Sequence, residues 1–273
     1  MSGGLPVPRT REGLAALAEI LRHPGSALIA SDFDGTLAPI VSDPRAARPY
    51  PGAVAALQRL SKLAGTVAVI TGRPAARAVE LGGFDDIPGL IVLGHYGWER
   101  WENGLLTSPP SPPGVAAARG RLPELLAGAP EGTWVEDKGH ALAVHTRRTA
   151  DPAGTLERLA GPLAELAATT GLMCEPGRMV IELRPPGTDK GSALSALAAE
   201  RNAKTVLFAG DDVGDLPAFA AVRAWRESGH LGLTVCSESE EVTELAAQAD
   251  IAVEGPAGVS GLLSSLADAI SAT

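Results

Sequence analysis

Two aspartates one residue apart follow an apolar run near the start of the chain. The segment LIASDFDGTLAPI, residues 28–40, places Asp32 and Asp34 where a buried strand would end. On extended backbone these two side chains point the same way, because side chains alternate between faces. A later apolar run, TVLFAG, leads into three more carboxylates, those of Asp211, Asp212 and Asp215. Brought to one place, the five would repel one another and raise one another's pKa.

A hard divalent cation relieves such repulsion, so the pattern predicts a metal-assisted reaction at a phosphate. Mg²⁺ typically binds one or two carboxylates, several waters and a phosphate oxygen of the substrate. Lys190, at a predicted helix start, and the hydroxyl of Thr71, at another strand end, are candidates for holding the phosphate. One of the paired aspartates would then attack phosphorus in line while the other handles protons.

The elements that must position these residues alternate between strand and helix. Six short apolar runs are typical of the buried strands of a parallel sheet: ALIAS, TVAVIT, LIVLG, TVLFAG, LGLTV and DIAVE. Predicted helices separate them, which favours an open, doubly wound α/β domain. In such a sheet ligands bind beyond the carboxyl ends of the strands, where Asp32, Thr71 and Asp211 fall.

The alternation fails between residues 104 and 187. There the pattern is a helix, two strands joined by a tight turn at DKGH, a second helix and two more strands, entered through the stiff linker TSPPSPPG. Strands joined by tight turns pair antiparallel. We therefore predict a discontinuous α/β core, residues 1–103 and 188–273, that carries an α+β insert, residues 104–187.

Charge and composition limit the partners. The chain has 273 residues and a formal net charge of −9, which disfavours binding to nucleic acid or to an anionic membrane. No apolar stretch is long enough to span a membrane, and no secretory signal is evident. The two cysteines, Cys174 and Cys236, form no paired motif, which predicts a reduced, cytoplasmic location and no zinc site. A small anionic substrate remains compatible with this charge where cations gather locally.

Four motifs in chain order resemble those of the haloacid dehalogenase superfamily of phosphotransferases: DFDGTL, ITGR, GTDKGSAL and GDDVGD. Longer stretches, among them GHYGWER, EDKGHALAVHTR and GRMVIELRP, resemble the trehalose-6-phosphate phosphatase family, and the likeness spans residues 27–255. The resemblance implies that superfamily's core fold with an inserted cap domain that sets specificity. It also implies Mg²⁺-dependent hydrolysis of trehalose 6-phosphate to trehalose and phosphate through an aspartyl-phosphate, the last step of trehalose biosynthesis.

The same resemblance assigns roles to the motif residues. It makes Asp32 the nucleophile and Asp34 the general acid and base, with Thr71 and Lys190 binding phosphate. The implied ligands of Mg²⁺ are Asp32, the Asp34 carbonyl and Asp211, and the residues that would support these ligands are Asp212 and Asp215. The chain departs from the family pattern after GDD, where Gly214 and Leu216 replace a threonine and a carboxylate.

Strand parity in the insert points to a second candidate site. In GTWVEDKG, residues Trp134, Glu136 and Lys138 share one face, and in GRMVIELR the charged residues share one face while Ile181 and Leu183 take the other. The apolar set would pack on the helices of the insert. The charged set would form a wet face that suits a ligand dense in hydroxyls. The residues that the resemblance assigns to sugar binding are Glu136, Lys138, Arg178 and Glu182.

Other interpretations remain open at this point. Paired aspartates after strands also act as turn formers or helix caps, and charged faces of small sheets are usually turned to solvent. One alternative is a phosphatase that acts on another glycosyl phosphate, such as sucrose phosphate or a glycosyl phosphoglycerate. Another alternative is a phosphosugar mutase. An inactive sugar-phosphate sensor is expected to lack Asp32, Asp34 or Lys190, all of which are present. The resemblance also allows a functional link to a trehalose-phosphate synthase.

Overall fold

The chain divides into two compact units. The computed structural model describes residues 4–177, 179–238 and 243–273. The larger unit holds the chain up to Ser108 and from Asp189 onward, and the smaller unit is the continuous segment Pro109–Thr188. Among the described residues, no helix is long and apolar enough to cross a membrane.

The larger unit is built on one sheet of eight strands, in the order β12-β11-β10-β1-β2-β3-β4-β5. The six apolar runs of the sequence form its parallel part: β1 (Ala27–Ser31), β2 (Thr66–Ile70), β3 (Leu90–Gly94), β10 (Thr205–Gly210), β11 (Leu231–Glu238) and β12 (Ile251–Glu254). Two short antiparallel strands, β4 (Glu99–Glu102) and β5 (Leu105–Thr107), extend the sheet beyond β3.

Helices cover both faces of the parallel part of this sheet, so those six strands are mostly apolar runs rather than alternating patterns. One face packs against α1 (Arg11–Arg22), α2 (Ala53–Leu63), α3 (Ala75–Gly82) and α9 (Gly255–Ser271). The other face packs against α6 (Lys190–Glu200), α7 (Leu216–Glu227) and α8 (Thr243–Gln248). Within β1, Ile29 belongs to the first core and its neighbours Leu28 and Ala30 to the second. The predicted doubly wound α/β fold is confirmed.

The chain order of the strands reverses at β1. From β1 the chain adds β2 and β3 on one side, and β10, β11 and β12 lie on the other. The carboxyl ends of β1 and β10 are therefore adjacent, with Ser31 aligned to Ala209. A reversal of this kind opens a crevice at the strand ends, which is the usual ligand position in such sheets.

The smaller unit is an α+β layer pair. Its antiparallel sheet has the order β6-β7-β9-β8. The elements of this unit are β6 (Trp134–Asp137), β7 (Leu142–His145), β8 (Met173–Gly177), β9 (Val180–Arg184), α4 (Pro113–Leu125) and α5 (Pro152–Thr170). One face of the sheet packs on both helices through Leu142, Val144, Ile181 and Leu183. The alternation predicted for β9 is thus observed.

The start of the smaller unit differs from the prediction. The insert was expected from residue 104, whereas Leu105–Thr107 pairs with β4 in the large sheet and the compact unit begins at Pro109. The turn between β4 and β5 is Asn103–Gly104, and both residues have positive φ, 52° and 79°. An Asn-Gly turn with left-handed backbone is a strong signal for a two-residue hairpin.

Candidate active site

The carboxyl ends of β1 and β10 bring Asp32 and Asp211 together. The backbone amide of Asp32 donates to the carbonyl of Ala209 at 2.8 Å, so the ladder between the two strands continues to the residue that leaves the sheet. Asp32, Asp211 and Asp215 are buried, and each offers a carboxylate oxygen within 4.8 Å of the others. The two motifs that are farthest apart in the sequence therefore form one acidic cluster.

Lys190 supplies the positive charge of this cluster. It is the first residue of α6, where Asp189 caps the helix by accepting from the amide of Ser192 at 2.7 Å. Its Nζ lies 3.0 Å from Oδ1 of Asp32 and 2.7 Å from Oδ1 of Asp215. The other oxygen of Asp215 accepts from the backbone amide of Asp211 at 2.9 Å. The lysine is thus oriented by a carboxylate that is itself fixed by backbone.

Burial makes the acidic cluster costly. Burial raises the pKa of Asp32 well above its usual range, and the carboxylates of Asp215 and Asp211 add to the rise while Lys190 opposes it. Burial, with Asp215 and Asp212 nearby, raises the pKa of Asp211 to about 7. Burial also disfavours the charged form of Lys190, yet Asp215 and Asp32 hold the pKa of this ammonium well above its usual range. One lysine therefore does not compensate the surrounding carboxylates.

The donor set fits a hard divalent cation. All candidate ligand atoms are oxygens of buried carboxylates. The three carboxyl groups together can carry more negative charge than the single positive charge of Lys190 balances. Oxygen-only sites of this kind suit Mg²⁺ rather than zinc. The carboxylate of Asp34 does not belong to the cluster, whereas those of Asp32 and Asp211 do. This agrees with the family resemblance, which implies that the carbonyl of Asp34, and not its side chain, binds the metal.

The loop after β1 is shaped around Asp211. Gly35 has φ +74°, and a Cβ at this position would lie 1.9 Å from Oδ2 of Asp211. Glycine is therefore required both for the left-handed backbone and for the close approach. The next residue, Thr36, donates from its hydroxyl to Oδ1 of Asp211 at 3.1 Å, and Ser237 of β11 donates to the Gly35 carbonyl at 2.7 Å.

Asp34 is held by Arg73, which follows β2. The guanidinium donates from Nε and Nη2 to the two carboxylate oxygens of Asp34, both at 2.6 Å. It also donates to the carbonyl of Pro44 at 2.8 Å and lies over the ring of Phe33. A bidentate arginine pair fixes both the position and the plane of a carboxylate. The proposed nucleophile and the proposed acid thus have different cationic partners.

The loop that carries Thr71 is clamped by the turn after β3. The amide of Thr71 donates to the Leu93 carbonyl and its own carbonyl accepts from the amide of Tyr96, both at 2.9 Å. His95 and Tyr96 both have left-handed backbone, with φ 49° and 59°. A Cβ at Gly72 would lie 2.8 Å from the hydroxyl oxygen of Tyr96, so this glycine admits the tyrosine side chain. Thr71 itself is buried, and its hydroxyl accepts from the amide of Arg73 at 3.2 Å.

Asp212 and Asp215 occupy different positions in the loop after β10. Asp215 is fully buried and binds Lys190, as described above. Asp212 is exposed and caps a short 3₁₀ turn by accepting from the amide of Gly214 at 2.9 Å. Gly214 stands where the family pattern has a threonine. It supplies the backbone amide for this cap but lacks the hydroxyl that a threonine side chain would bring.

The smaller unit holds the predicted sugar-binding residues on one face of its sheet. Nζ of Lys138 lies 2.6 Å from Oε2 of Glu182, and Oε2 of Glu136 lies 3.0 Å from Nε2 of His145. The register places Glu136 and Glu182 opposite the same residue of β7, Ala143, so the two carboxylates share a row across the strands. The fourth predicted residue, Arg178, lies outside the described residues.

Sequence reasoning missed two of these partners. Arg73 is the last residue of the motif ITGR, but its pairing with Asp34 depends on the path of two loops and not on spacing. His145 was not assigned a role, although in an alternating strand its parity matches that of Ala143 and places it on the wet face. A parity argument would therefore have found His145, while Arg73 required the fold.

The chain is similar to known trehalose-phosphate phosphatases over most of its length. A family model described as Trehalose-phosphatase matches residues 30–255. The chain is 36% identical over 268 residues to a trehalose-phosphate phosphatase of Mycobacterium avium, covering 90% of this chain and 63% of that protein. A trehalose-phosphate phosphatase of Mycobacterium marinum is 35% identical, with 88% of this chain and 61% of that protein covered. The chain thus spans about three-fifths of the length of these curated relatives.

Solved structures share the fold over nearly the whole chain. Trehalose-6-phosphate phosphatase of Aspergillus fumigatus superposes with a TM-score of 0.70 at 25% identity, covering 96% of this chain and 99% of that one. A haloacid dehalogenase-like hydrolase from Bacteroides thetaiotaomicron superposes with a TM-score of 0.65 at 16% identity, covering 87% and 98%. At that lower identity the likeness concerns the fold alone.

Proposed function

Because the chain belongs to the trehalose-phosphatase family, we propose that it hydrolyses trehalose 6-phosphate to trehalose and inorganic phosphate with the aid of Mg²⁺. One observation carries this proposal: Asp32 lies at the carboxyl end of the central strand, buried, with Lys190 at 3.0 Å and Asp211 beside it. That is the arrangement of a carboxylate nucleophile with a cation for the transferred phosphate.

In the proposed reaction Asp32 is the nucleophile. One of its carboxylate oxygens attacks phosphorus in line, the new oxygen–phosphorus bond forms, and the bond from phosphorus to the sugar oxygen breaks. Asp34 gives its proton to the departing sugar oxygen, which leaves as trehalose. Water then attacks the aspartyl-phosphate, Asp34 accepts the proton of that water, and phosphate leaves with Asp32 restored.

The neighbouring residues orient these two groups. Lys190 and the hydroxyl of Thr71 would bind the phosphoryl oxygens, and Asp215 keeps the lysine in place. Arg73 fixes the plane of the Asp34 carboxylate by two hydrogen bonds, one to each oxygen. One of these bonds would have to open before that oxygen could carry the proton for the sugar oxygen. Asp32, Asp211 and the carbonyl of Asp34 would hold the metal, with Asp215 and Asp212 behind them. Mg²⁺ when bound would supply positive charge to the phosphate and the carboxylates.

The wet face of the smaller unit would recognise the sugar. Glu136, Glu182 and Lys138 offer acceptors and donors, and a disaccharide presents hydroxyls that need both. Arg178, by its motif position, belongs to the same proposed set. Unit boundaries near residues 109 and 188 accordingly separate a catalytic core from a specificity unit.

The test is phosphate release across a panel of sugar phosphates. Purified protein with Mg²⁺ should release phosphate from trehalose 6-phosphate faster than from sucrose 6-phosphate, glucose 6-phosphate or a glycosyl phosphoglycerate. EDTA should abolish turnover and added Mg²⁺ should restore it. Faster release from another sugar phosphate would reassign the substrate, and formation of an isomeric sugar phosphate would instead indicate a mutase. Full activity in EDTA would contradict the metal site.

Two broader expectations accompany this function. A trehalose-phosphate synthase would make the substrate, so a functional link to such an enzyme is part of the proposal. A cytoplasmic location rests on the two cysteines, Cys174 and Cys236, both of which are free thiols. Measuring the location of the tagged protein in cells would test the second expectation.

A further inference from the structure

The sheet of the smaller unit carries a row of three carboxylates: Glu136, Glu182 and, in register with Glu182, Glu175 of β8. Glu136 of β6 and Glu182 of β9 both align with Ala143 of β7, which lies between their strands. Residues in register on adjacent strands project from the same face. The carboxylates of Glu136 and Glu182 are therefore separated by the width of two strand spacings, with only a methyl group between them.

The partners of these two carboxylates differ in kind. Glu182 pairs with the ammonium of Lys138, which ends a flexible four-carbon chain. Glu136 pairs with the imidazole of His145, which is directly opposite Trp134 in the register of β6 and β7. Histidine has only two rotatable side-chain bonds, so its ring is much easier to hold in one position.

The imidazole of His145 is held by stacking. Its ring lies parallel to that of Trp134, with centroids 4.0 Å apart and an interplanar angle of 6°. The guanidinium of Arg148 lies over the same tryptophan, 5.3 Å from its ring centroid. The stack fixes the plane of the imidazole, and the plane determines where its Nε2 hydrogen points.

Glu136 remains available to a ligand despite this bond. Its side chain is 45% exposed, and the bond to His145 uses only Oε2. An ionised carboxylate has two oxygens and about four acceptor positions, so further donors have room to bind. A half-exposed pair of this kind adds little to folding stability. The defined geometry of the Glu136–His145 pair is therefore better explained by the acceptor oxygen that Glu136 offers to a ligand than by a contribution to the stability of the fold.

We propose that His145 is a positioning residue for substrate recognition: held on Trp134, it fixes the carboxylate of Glu136 in the orientation that accepts hydrogen bonds from sugar hydroxyls. This inference rests on the proposed function, since it requires a substrate with a sugar attached to the phosphate. Pre-organising an acceptor lowers the entropy lost when the ligand binds. Recognition by Glu136 consequently depends on a residue that does not itself touch the sugar.

The test compares variants on two substrates. His145→Phe keeps an aromatic ring for stacking on Trp134 but removes the hydrogen-bond donor. The ratio of kcat/KM for trehalose 6-phosphate to that for p-nitrophenyl phosphate should fall about tenfold, mainly through a higher KM for the sugar phosphate. The matched control is His230→Phe, because His230 also stacks on a tryptophan, Trp225, with centroids 4.5 Å apart, but lies in the larger unit. That control should leave the ratio unchanged.

A double-mutant cycle decides whether His145 acts through Glu136. If it does, His145→Phe should change the ratio by less than about twofold when Glu136 is already Gln. Equal effects of His145→Phe with Glu136 and with Gln at that position would overturn the inference, as would an unchanged ratio in the single variant. Wild-type protein that hydrolyses p-nitrophenyl phosphate but not trehalose 6-phosphate would instead overturn the proposed substrate, and the inference with it. Melting temperatures of all variants identify any that fail to fold.

Discussion

The acidic cluster of the larger unit and the wet face of the smaller unit are both built from carboxylates with basic partners, but they differ in burial. In the cluster the side chains of Lys190, Asp32 and Asp215 are 6%, 7% and 0% exposed. On the wet face the side chains of His145 and Glu136 are 23% and 45% exposed. The other pair on that face, Lys138 and Glu182, is 19% and 15% exposed. The three side chains of the first site are thus almost fully shielded from bulk water, and those of the second are partly open to it.

This difference follows from what each site would do. Attack on phosphorus benefits from dry surroundings, where electrostatic interactions are stronger and fixed groups replace mobile water. The consequence is a set of raised pKa values and a shortage of positive charge. Recognition of hydroxyls needs exposed donors and acceptors, which carry no such penalty. Variants of the cluster should therefore affect both chemistry and stability, whereas variants of the wet face should affect mainly selectivity.

The largest effect is expected for Asp32→Asn. Deleting the nucleophile should lower kcat by at least about a thousandfold on every phosphate ester. Because burial raises the pKa of Asp32, its ionised form is unfavourable, and the metal-free variant should melt at or above the wild-type temperature. Phosphate release and thermal melting measure the two quantities. Asp86→Asn, at an exposed position, is the control. Wild-type turnover by Asp32→Asn would exclude the covalent mechanism.

Lys190→Met should have the largest effect on stability. It removes the ammonium from between Asp32 and Asp215 and leaves buried carboxylates without their partner. Breaking a buried ion pair in this way costs about 3–5 kcal/mol. Urea unfolding in EDTA at pH 8 should detect the loss, and Lys62→Met, on the exposed side of α2, should change little. A free energy of unfolding equal to wild type would mean that the cluster is not charged as described.

The metal-free protein should lose stability as the pH rises from about 4 to 7. The pKa of Asp211 is about 7 in the folded protein, against 3.8 for an ordinary aspartate, because the group is buried beside Asp215 and Asp212. Between those limits the folded state binds more protons than the unfolded state, so the free energy of unfolding falls as pH rises. Melting in EDTA at pH 5 and pH 7.5 should show the decline, and Mg²⁺ should reduce it. A melting temperature that rises with pH in EDTA would contradict this sign.

The smallest effect is expected for Lys138→Ala on the wet face. Removing this partner of Glu182 should lower the kcat/KM ratio of trehalose 6-phosphate to p-nitrophenyl phosphate about tenfold, near 1.4 kcal/mol. The melting temperature should fall less than for Lys190→Met, because the Lys138–Glu182 pair keeps more contact with solvent, at 19% and 15% exposure, than the pairs of Lys190. An equal fall on both substrates would assign Lys138 to the chemistry and remove the distinction between the two sites.

Much of this architecture is predictable from sequence because buried strands and their polar ends are local patterns. The six apolar runs, the parity of Ile181 and Leu183 and the convergence of Asp32 with Asp211 follow from periodicity and from the rule for parallel sheets. The hairpin of β4 and β5 was missed because ERWE lacks an apolar run and LLT is very short, although Asn103–Gly104 is a turn signal.

The partners of the site residues were less predictable. Arg73 meets Asp34 because two loops, 39 residues apart in sequence, leave adjacent strands in the right directions. The fit of Gly35 against Asp211 is likewise a property of the folded backbone. Residue types report which chemistry is available, but the pairing of charges depends on loop paths that no short-range pattern specifies.

The pairing of β1 with β10 has a consequence for biosynthesis. Residues 27–31 of β1 pair with residues 205–209 of β10, and the whole smaller unit lies between these two strands in the sequence. At about 5–20 residues per second, a ribosome needs on the order of ten to thirty seconds to travel from one strand to the other. The smaller unit, which ends at Thr188, is completed only late in that interval, and throughout it the nascent β1 has an open edge where β10 will bind. An apolar strand with an unpaired edge invites association with other chains. We therefore expect β1, the central strand of the large sheet, to be a site where a chaperone would bind the newborn chain.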